Sequence, residues 1–223
     1  RHYCGALMPA DPTLDLEREL FASGVRVLAS IDEVGRGAIA GPVTVGVVVI
    51  SSDCGEPPMG IRDSKLLSPA RRMALIGPIV TWLSAHAVAS ASSREIDELG
   101  IVGALRLAGV RALTALVSCG VEPDLVLLDG SHDWLTSDSL FDDSSGFRPP
   151  PVRTQVKGDL TCTSVAAASV LAKVDRDAQM TELDSRFPAY GWSGNKGYGS
   201  AGHQQAIREL GVTEFHRVSW NIQ

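Results

Sequence analysis

Acidic side chains follow three separate apolar segments that have the composition of β-strands. Neighbouring strands lie about 5 Å apart, so carboxylates at neighbouring strand ends can converge on one point. Carboxylates that share a small volume repel each other, and a hard divalent cation removes that repulsion. The pattern predicts an oxygen-ligated Mg²⁺ or Mn²⁺ site. The predicted catalytic and metal-binding residues are Asp32, Glu33, Asp129 and Asp159.

Any one of these four residues alone is better explained as a solvated turn residue, because Asp is common where strands end. The metal site is favoured only for the set, since apolar strands lead to three positions.

A glycine-rich turn follows the first acidic pair and contains Gly35, Arg36 and Gly37. Glycine lets the backbone come close to a phosphate or a sugar edge. A dinucleotide-binding loop would lead into a helix, whereas an apolar segment at 43–50 follows here and disfavours that class. The turn is therefore predicted to contact substrate.

Further candidates for substrate binding are polar side chains in predicted turns that contain lysine or glycine. Cations can contact phosphates, and a tyrosine can stack on a base or sugar, although an isolated tyrosine more often plugs a loop. Arg71, Arg72 and Arg176 are expected on solvated helix faces. The added substrate-binding candidates are Ser64, Lys65, Lys157, Lys196 and Tyr198.

Bulk composition narrows the class of protein. A chain of 223 residues with 44% hydrophobic and 21% charged residues can bury one sizeable core. The net charge of −6 argues against nucleic-acid binding by bulk charge, but a local basic groove remains compatible with it.

Several other classes are disfavoured. The 4 cysteines are scattered without a C-x-x-C pair, which predicts reduced thiols in a cytoplasmic protein. No G-x-S-x-G elbow, histidine metal triad, apolar membrane-length run or secretory leader is visible. The chain starts at Arg1 rather than at a methionine, so we expect preceding residues.

The apolar periodicity predicts an α/β protein, with a mixed sheet flanked by helices and a small C-terminal helical subdomain. The short connection between the first two strands favours an antiparallel pair. We expect an extension over 1–20, a catalytic domain over 21–185 and the subdomain over 186–223. Strands are predicted at 25–31, 43–50, 86–91, 124–128 and 152–156, and helices at 14–21, 69–83, 102–117, 161–184 and 202–210.

These motifs, in their order along the chain, resemble bacterial type 2 ribonuclease H, the ribonuclease HII family. The resemblance runs from about residue 25 to the C-terminus, and the D-E-V-G-R-G element is its most specific part. The matching segments are 31–37, 40–43, 63–65, 95–97, 128–130, 157–159, 167–174, 176–177 and 196–198.

The resemblance implies a ribonuclease H-like fold and a metal-dependent endonuclease that cuts the RNA strand of RNA–DNA hybrids. It also implies cleavage 5′ to single ribonucleotides embedded in duplex DNA, by two metal ions, leaving 3′-hydroxyl and 5′-phosphate ends. Gly35, Arg36 and Gly37 would contact the ribose 2′-hydroxyl and adjoining phosphates, and Tyr198 would pack on the sugar at the RNA–DNA junction. A cytoplasmic monomer without an evident protein partner is expected.

Three features depart from the family pattern. Leu66 stands where a second lysine is common, Asp175 replaces an uncharged residue, and the stretch at 136–146 is long and acidic. Two alternatives therefore stay open: a paralogue restricted to long hybrids, and a non-catalytic nucleic-acid or nucleotide-binding module.

Overall fold

A computed structural model describes residues 11–136, 147–220 and 222 of the chain. These residues form five strands and seven helices, with short 3₁₀ turns at Ser64–Leu66, Pro188–Tyr190 and Val218–Trp220. The strands are β1 (Val27–Val34), β2 (Val43–Ser51), β3 (Ala85–Ala91), β4 (Leu125–Asp129) and β5 (Val152–Gln155). The helices are α1 (Asp15–Ala22), α2 (Pro69–Trp82), α3 (Ser93–Ser118), α4 (Gly158–Thr161), α5 (Thr163–Arg186), α6 (Trp192–Asn195) and α7 (Ala201–Leu210).

The strands form one mixed sheet in the order β3-β2-β1-β4-β5. The β1–β2 and β2–β3 pairs are antiparallel, whereas β4 runs parallel to β1 and β5 runs parallel to β4. The predicted α/β class and the antiparallel first pair are confirmed. The parallel half brings the C-terminal ends of β1, β4 and β5 to one edge, where ligands of open α/β sheets bind.

The first strand is longer than the sequence indicates. Pairing with β4 stops at Ile31, but pairing with β2 continues to Val34. Asp32 and Glu33 therefore lie inside β1 rather than after it, because β2 supplies hydrogen-bonding partners beyond the point where β4 ends. The expectation that each carboxylate follows a strand is wrong for these two residues and for Asp129, which is the last residue of β4.

Helix α5 lies close against β1 and β2 and presents a stripe of small residues, 166–169, to the sheet. Ala166, Ala167 and Ala168 are fully buried. Gly46 of β2 faces this stripe, and a Cβ atom there would lie 2.4 Å from the carbonyl oxygen of Ala168. A larger residue at position 46 would force the helix away from the sheet.

Helix starts follow local signals. Ser68 caps α2, with Pro69 at the first helical position, and Pro78 does not end the helix. Ser92 and Glu95 form a capping box on α3.

Helix α3 is kinked at Gly100 (φ 70°, ψ 166°), which separates a first short segment from the rest. The sequence predicts that Ile96 and Leu99 both face inward. Ile96 is fully buried, whereas Leu99 is half exposed, so the prediction is wrong for Leu99. By length and apolar composition alone α3 could span a membrane. Its buried face, however, packs against the sheet through residues such as Leu105 and Leu113, as in the core of a globular domain.

Apolar clusters lie on both faces of the sheet, one under α3 and one under α1, α2 and α5. A third cluster surrounds Met180, Tyr190 and Trp192 in the C-terminal part. Leu14 and Leu20 are buried in the second cluster, so part of the predicted extension belongs to the core. The division at residues 21 and 186 stays a prediction.

Candidate active site

Asp32 is the most deeply buried carboxylate at the sheet edge, with 3% of its surface exposed. Its Oδ1 accepts a hydrogen bond from the Glu33 N–H at 2.8 Å, while Oδ2 has no partner among the described residues. Burial, followed by the charges of Glu33 and Asp129, raises the pKa of Asp32 well above its usual range. Ser169 opposes this rise, but its hydroxyl hydrogen-bonds to Ser64 Oγ at 2.9 Å rather than to Oδ2.

Glu33 carries the next carboxylate along β1. Burial raises its pKa, and Arg36 offsets the rise only in part, although its Nη1 lies 3.4 Å from Glu33 Oε1. Asp129 adds to the rise. The first acidic pair thus has one cation for two charges.

Asp129 and Asp159 are joined through the backbone. The N–H of Asp159, in the short helix α4, donates to Asp129 Oδ1 at 3.3 Å. Gly158 permits this approach, because a Cβ atom there would lie 3.1 Å from the same oxygen. Burial and the charge of Asp159 raise the pKa of Asp129.

Lys65 approaches the acidic residues from the 3₁₀ turn. Its Nζ lies 3.3 Å from Asp159 Oδ2 and 3.8 Å from Asp63 Oδ1. Burial alone would lower the pKa of Lys65, but the charges of Asp63, Asp159 and Asp32 raise it. The ammonium group is therefore held in its charged form beside the carboxylates.

The donor set fits a hard divalent cation, since it consists of carboxylate oxygens with one buried oxygen lacking a partner. In the ranges that the structure describes, no three His, Cys, Asp or Glu side chains form a ready cation cage. Mg²⁺ suits such an open edge, because it is usually held by one or two carboxylates, waters and substrate phosphate oxygens.

A cavity of about 430 Å³ opens beside this edge. It brings the sequence-predicted glycine turn, the Ser64–Lys65 pair and Tyr198 together around one space. Ser169 and Lys173, which sequence reasoning did not select, also line it. The lining residues are Glu33, Val34, Gly35, Arg36, Gly37, Ser64, Lys65, Ser169, Lys173 and Tyr198.

Two lysines that were predicted to bind substrate lie outside this cavity. Lys157 is exposed in a left-handed conformation (φ 56°) just before α4. Lys196 points its Nζ at Thr181 Oγ1, 3.0 Å away on α5. Their proposed contacts with substrate thus require a duplex that extends beyond the cavity.

The sequence did not indicate that three arginines are buried. Arg72 and Arg176 were expected on solvated faces, which is wrong: Arg72 is 8% exposed and Arg176 is fully buried. Arg72 donates to the carbonyl oxygens of Ser64 and Leu67 at 2.7 Å, which holds the turn that carries Lys65. Arg217 is also fully buried. The one indication of a role for any of them was that Arg176 lies in a segment that matches the family motif.

The C-terminal histidines, His203 and His216, are buried. His203 Nε2 lies 3.1 Å from His216 Nε2 and 3.0 Å from Trp192 Nε1. Because the indole N–H donates, His203 Nε2 accepts, and its Nδ1–H can donate to the Tyr198 carbonyl oxygen 2.9 Å away. These rings support the turn that carries Tyr198.

Two of the residues that depart from the family pattern, Leu66 and Asp175, lie among the described residues. Leu66 is half exposed in the 3₁₀ turn next to the cavity. Asp175 is exposed and accepts a hydrogen bond from Gln179. Most of the acidic stretch, residues 137–146, lies outside the described residues.

Comparison with known proteins decides the family. A model of ribonuclease HII matches residues 29–223. The chain belongs to the ribonuclease HII family. The enzyme of Streptomyces avermitilis named ribonuclease HII is 47% identical over 215 residues, which cover 96% of this chain and 85% of that protein.

Solved structures agree with the fold. Ribonuclease H2 from Pyrococcus horikoshii OT3 has a TM-score of 0.65 at 25% identity, covering 88% of this chain and 94% of that one. A PCNA:RNase HII complex from Archaeoglobus fulgidus gives 0.66 at 23% identity, with 87% and 95% covered. Bst-RNase HIII in complex with Mn²⁺ gives 0.67 at 20% identity, with 88% and 68% covered.

As a member of the ribonuclease HII family, this chain is a metal-dependent endonuclease. It cleaves RNA in RNA–DNA hybrids, including single ribonucleotides embedded in DNA. The family resemblance and the ribonuclease H-like fold expected from the sequence are both confirmed.

Proposed function

We propose that the four carboxylates Asp32, Glu33, Asp129 and Asp159 hold the divalent cations, Mg²⁺ or Mn²⁺, and that cleavage falls 5′ to an embedded ribonucleotide. The buried Asp32 Oδ2 without a hydrogen-bond partner carries this proposal. An oxygen in that condition is costly unless a ligand satisfies it. Burial raises the pKa of Asp32 and of Asp129, and the negative charge of the surrounding carboxylates, which a bound cation would offset, raises both further.

When bound, the two cations would supply Lewis-acid chemistry, namely activation of the attacking water and stabilisation of the leaving 3′-oxygen. Asp32 and Asp129 would provide ligands from the two central parallel strands, and Glu33 and Asp159 would flank them. Lys65 would hold Asp159 and meet a substrate phosphate. The products would carry 3′-hydroxyl and 5′-phosphate ends.

The glycine turn and Tyr198 would recognise the ribonucleotide. Both line one cavity beside the acidic edge. The 2′-hydroxyl is the group that distinguishes RNA from DNA at a given position, and backbone amides at Gly35–Arg36–Gly37 can donate to it. Tyr198 is 41% exposed, so its ring is available to a sugar. Ser64, Lys157 and Lys196 would contact flanking phosphates.

The deciding experiment uses a labelled DNA duplex that carries one ribonucleotide, with Mg²⁺ or Mn²⁺. We expect one cut, directly 5′ to the ribonucleotide, and none in the all-DNA duplex of the same sequence. Absence of cutting with both metals, or a cut on the 3′ side, would contradict the proposal.

We further propose a cytoplasmic monomer that removes embedded ribonucleotides from DNA without a clamp protein. The Archaeoglobus fulgidus relative was solved with PCNA. In this chain the segment Val218–Trp220 is folded back, because the N–H groups of Val218 and Ser219 donate to Asp97 at 3.1 and 3.0 Å. Light scattering of the purified protein, alone and with the bacterial sliding clamp, tests this arrangement.

A further inference from the structure

Two fully buried arginines, Arg176 of α5 and Arg217 near the C-terminus, lie behind the turn of residues 35–42. This turn is called the glycine loop below. Within the described chain, every hydrogen bond of the two guanidinium groups goes to a main-chain carbonyl oxygen. The two buried cations are thus used to bind backbone rather than carboxylates.

Arg217 collects the carbonyl groups of the glycine loop. Its Nη2 donates to the oxygens of Gly35 at 2.7 Å, Gly41 at 3.1 Å and Pro42 at 3.2 Å. Its Nη1 donates to the oxygen of Arg36 at 2.8 Å. These carbonyl groups therefore point inward, towards the guanidinium group.

Arg176 joins the glycine loop to the turn that carries Tyr198. It donates to the carbonyl oxygens of Pro42 at 2.8 Å and Ala40 at 3.3 Å on one side. On the other side it donates to the Lys196 oxygen at 2.8 Å, and its Cζ lies 5.7 Å from the centre of the Tyr198 ring. One guanidinium group thus sets the spacing of two walls of the cavity.

The amide groups of the loop face the other way. In the described part of the chain, the N–H groups of Arg36 and Gly37 have no hydrogen-bond acceptor, and both residues are exposed. The next two N–H groups are already used, by the Gly35 and Gly197 oxygens. Two adjacent free donors on a fixed backbone form a site for a hydroxyl or phosphate oxygen.

Burying two guanidinium groups against carbonyl oxygens costs free energy, and only arginine can make this set of hydrogen bonds. Burying a cation with only neutral acceptors is unfavourable, and burial lowers the pKa of both guanidinium groups. Only a guanidinium group offers five donors in a planar fork, so lysine cannot satisfy the same set of oxygens. The loop is fitted closely as well: Gly35 has φ +84°, and a Cβ there would lie 2.0 Å from Arg176 Nε.

We propose that Arg176 and Arg217 are positioning residues for ribonucleotide selection. They hold the free amides of Arg36 and Gly37 at a set distance from Tyr198, so that a duplex with one 2′-hydroxyl binds better than an all-DNA duplex. This inference rests on the proposed function, which assigns the cavity to the ribonucleotide.

The test compares the variants Arg176→Lys and Arg217→Lys with the wild type in two assays. Fluorescence anisotropy without divalent metal gives the Kd ratio between an all-DNA duplex and the same duplex with one ribonucleotide. Cleavage with Mn²⁺ gives the ratio of kcat/KM for the single-ribonucleotide duplex to that for a long hybrid. We expect each variant to reduce both ratios by about tenfold, the size of a lost hydrogen-bonding interaction.

The control is Leu113→Ala, in the apolar cluster under α3, which loses stability without touching the glycine loop. Its melting temperature should fall, while both ratios stay at the wild-type value. An equal drop of the ratios in this control, unchanged ratios in the lysine variants, or failure of both lysine variants to fold would overturn the inference. If the wild type itself does not cut at the ribonucleotide, the proposed function fails instead.

Discussion

Two charged regions at the end of β1 are built in opposite ways. In the acidic edge, formed by Asp32, Glu33, Asp129 and Asp159, the carboxylates have few partners, and Asp32 Oδ2 has none among the described residues. In the arginine pair, Arg176 and Arg217, the buried charges are surrounded by carbonyl oxygens that accept from them.

The difference separates a region that must acquire a ligand from one that must stay in place. The acidic edge lowers the stability of the folded chain until a cation offsets its repulsion. The arginine pair is already satisfied and holds the loop that would meet the substrate. Stability and activity should therefore respond in different ways to changes in the two regions.

The largest effect should come from the acidic edge. Asp129→Asn should lower kcat on the single-ribonucleotide duplex by about 10³-fold or more, since it removes a charge that would bind the cation. The fold should remain intact by circular dichroism, because Asn is isosteric.

The matched control is Asp124→Asn, just before the other end of β4. Asp124 accepts from the N–H groups of Arg26 and Val27, far along the strand from the acidic edge. It should lose some stability and keep its activity. Retained activity in Asp129→Asn would remove that residue from the ligand set.

A smaller and selective effect is expected on the substrate side. Arg36→Ala and Tyr198→Ala should reduce kcat/KM on the single-ribonucleotide duplex by about tenfold, the scale of one stacking or phosphate contact. Long hybrids offer many equivalent sites and should lose less. Equal losses on the two substrates would show that these residues bind nucleic acid generally and do not sense the junction.

A divalent cation bound at the acidic edge should stabilise the folded protein. At about 100 times Kd, Mg²⁺ or Mn²⁺ should add about 2.7 kcal/mol to the free energy of unfolding, or roughly 5–10 °C in Tm. Asp32→Asn should gain less, because it has lost a ligand and part of the repulsion. Calorimetry with and without EDTA measures both gains. A variant that gains as much as the wild type would show that the cation binds elsewhere.

The smallest effect concerns the buried histidines, whose ring nitrogens are hydrogen-bonded, as are the guanidinium groups of the arginine pair. Burial, together with His203, lowers the pKa of His216 to about 4. The unfolded chain binds the proton more readily, so stability is present above the ordinary histidine pKa, near 6.5, and is lost as pH falls towards 4. The groups packed around His216 are His203, Tyr190, Trp192 and Thr213.

The measurement is Tm against pH for the wild type and His216→Phe, which keeps a ring but cannot titrate. Between pH 6.5 and 4 the wild type should lose at least about 3 °C more than the variant. Parallel curves would mean that acid acts through other groups, such as the carboxylates of the acidic edge.

Much of the fold was accessible from the sequence, because local signals are strong. The start of α2 at Ser68–Pro69 was predictable from capping chemistry, and the apolar strands from their composition. The start of α3 was not, because the helix was predicted only from residue 102, whereas the capping box of Ser92 and Glu95 starts it at Ser93. The length of β1 was not, since its last residues are ordered by pairing with β2. The exposure of Leu99 also escaped, because the Gly100 kink rotates the first segment of α3 relative to the rest.

The chemistry of the candidate site could be predicted where the residue types are characteristic of it. Carboxylates beside apolar strands and glycines around Arg36 are unusual enough to be noticed in a linear chain. Arg176 and Arg217 carry no such signal, because an arginine on a helix or in a polar tail is normally solvated. Their burial depends on the glycine loop, 134 to 182 positions earlier in the chain, whose carbonyl oxygens accept hydrogen bonds from the two guanidinium groups.

The sequence by itself thus determined the family, the sheet-and-helix class and the acidic and glycine-rich motifs. These follow from residue types, local periodicity and order along the chain. Only the tertiary structure decided which charges lack partners and which are satisfied. Burial and hydrogen bonding are set by distant segments: β4 and α4 bring Asp129 and Asp159 together, while α5 and the C-terminal segment place two cations behind one loop.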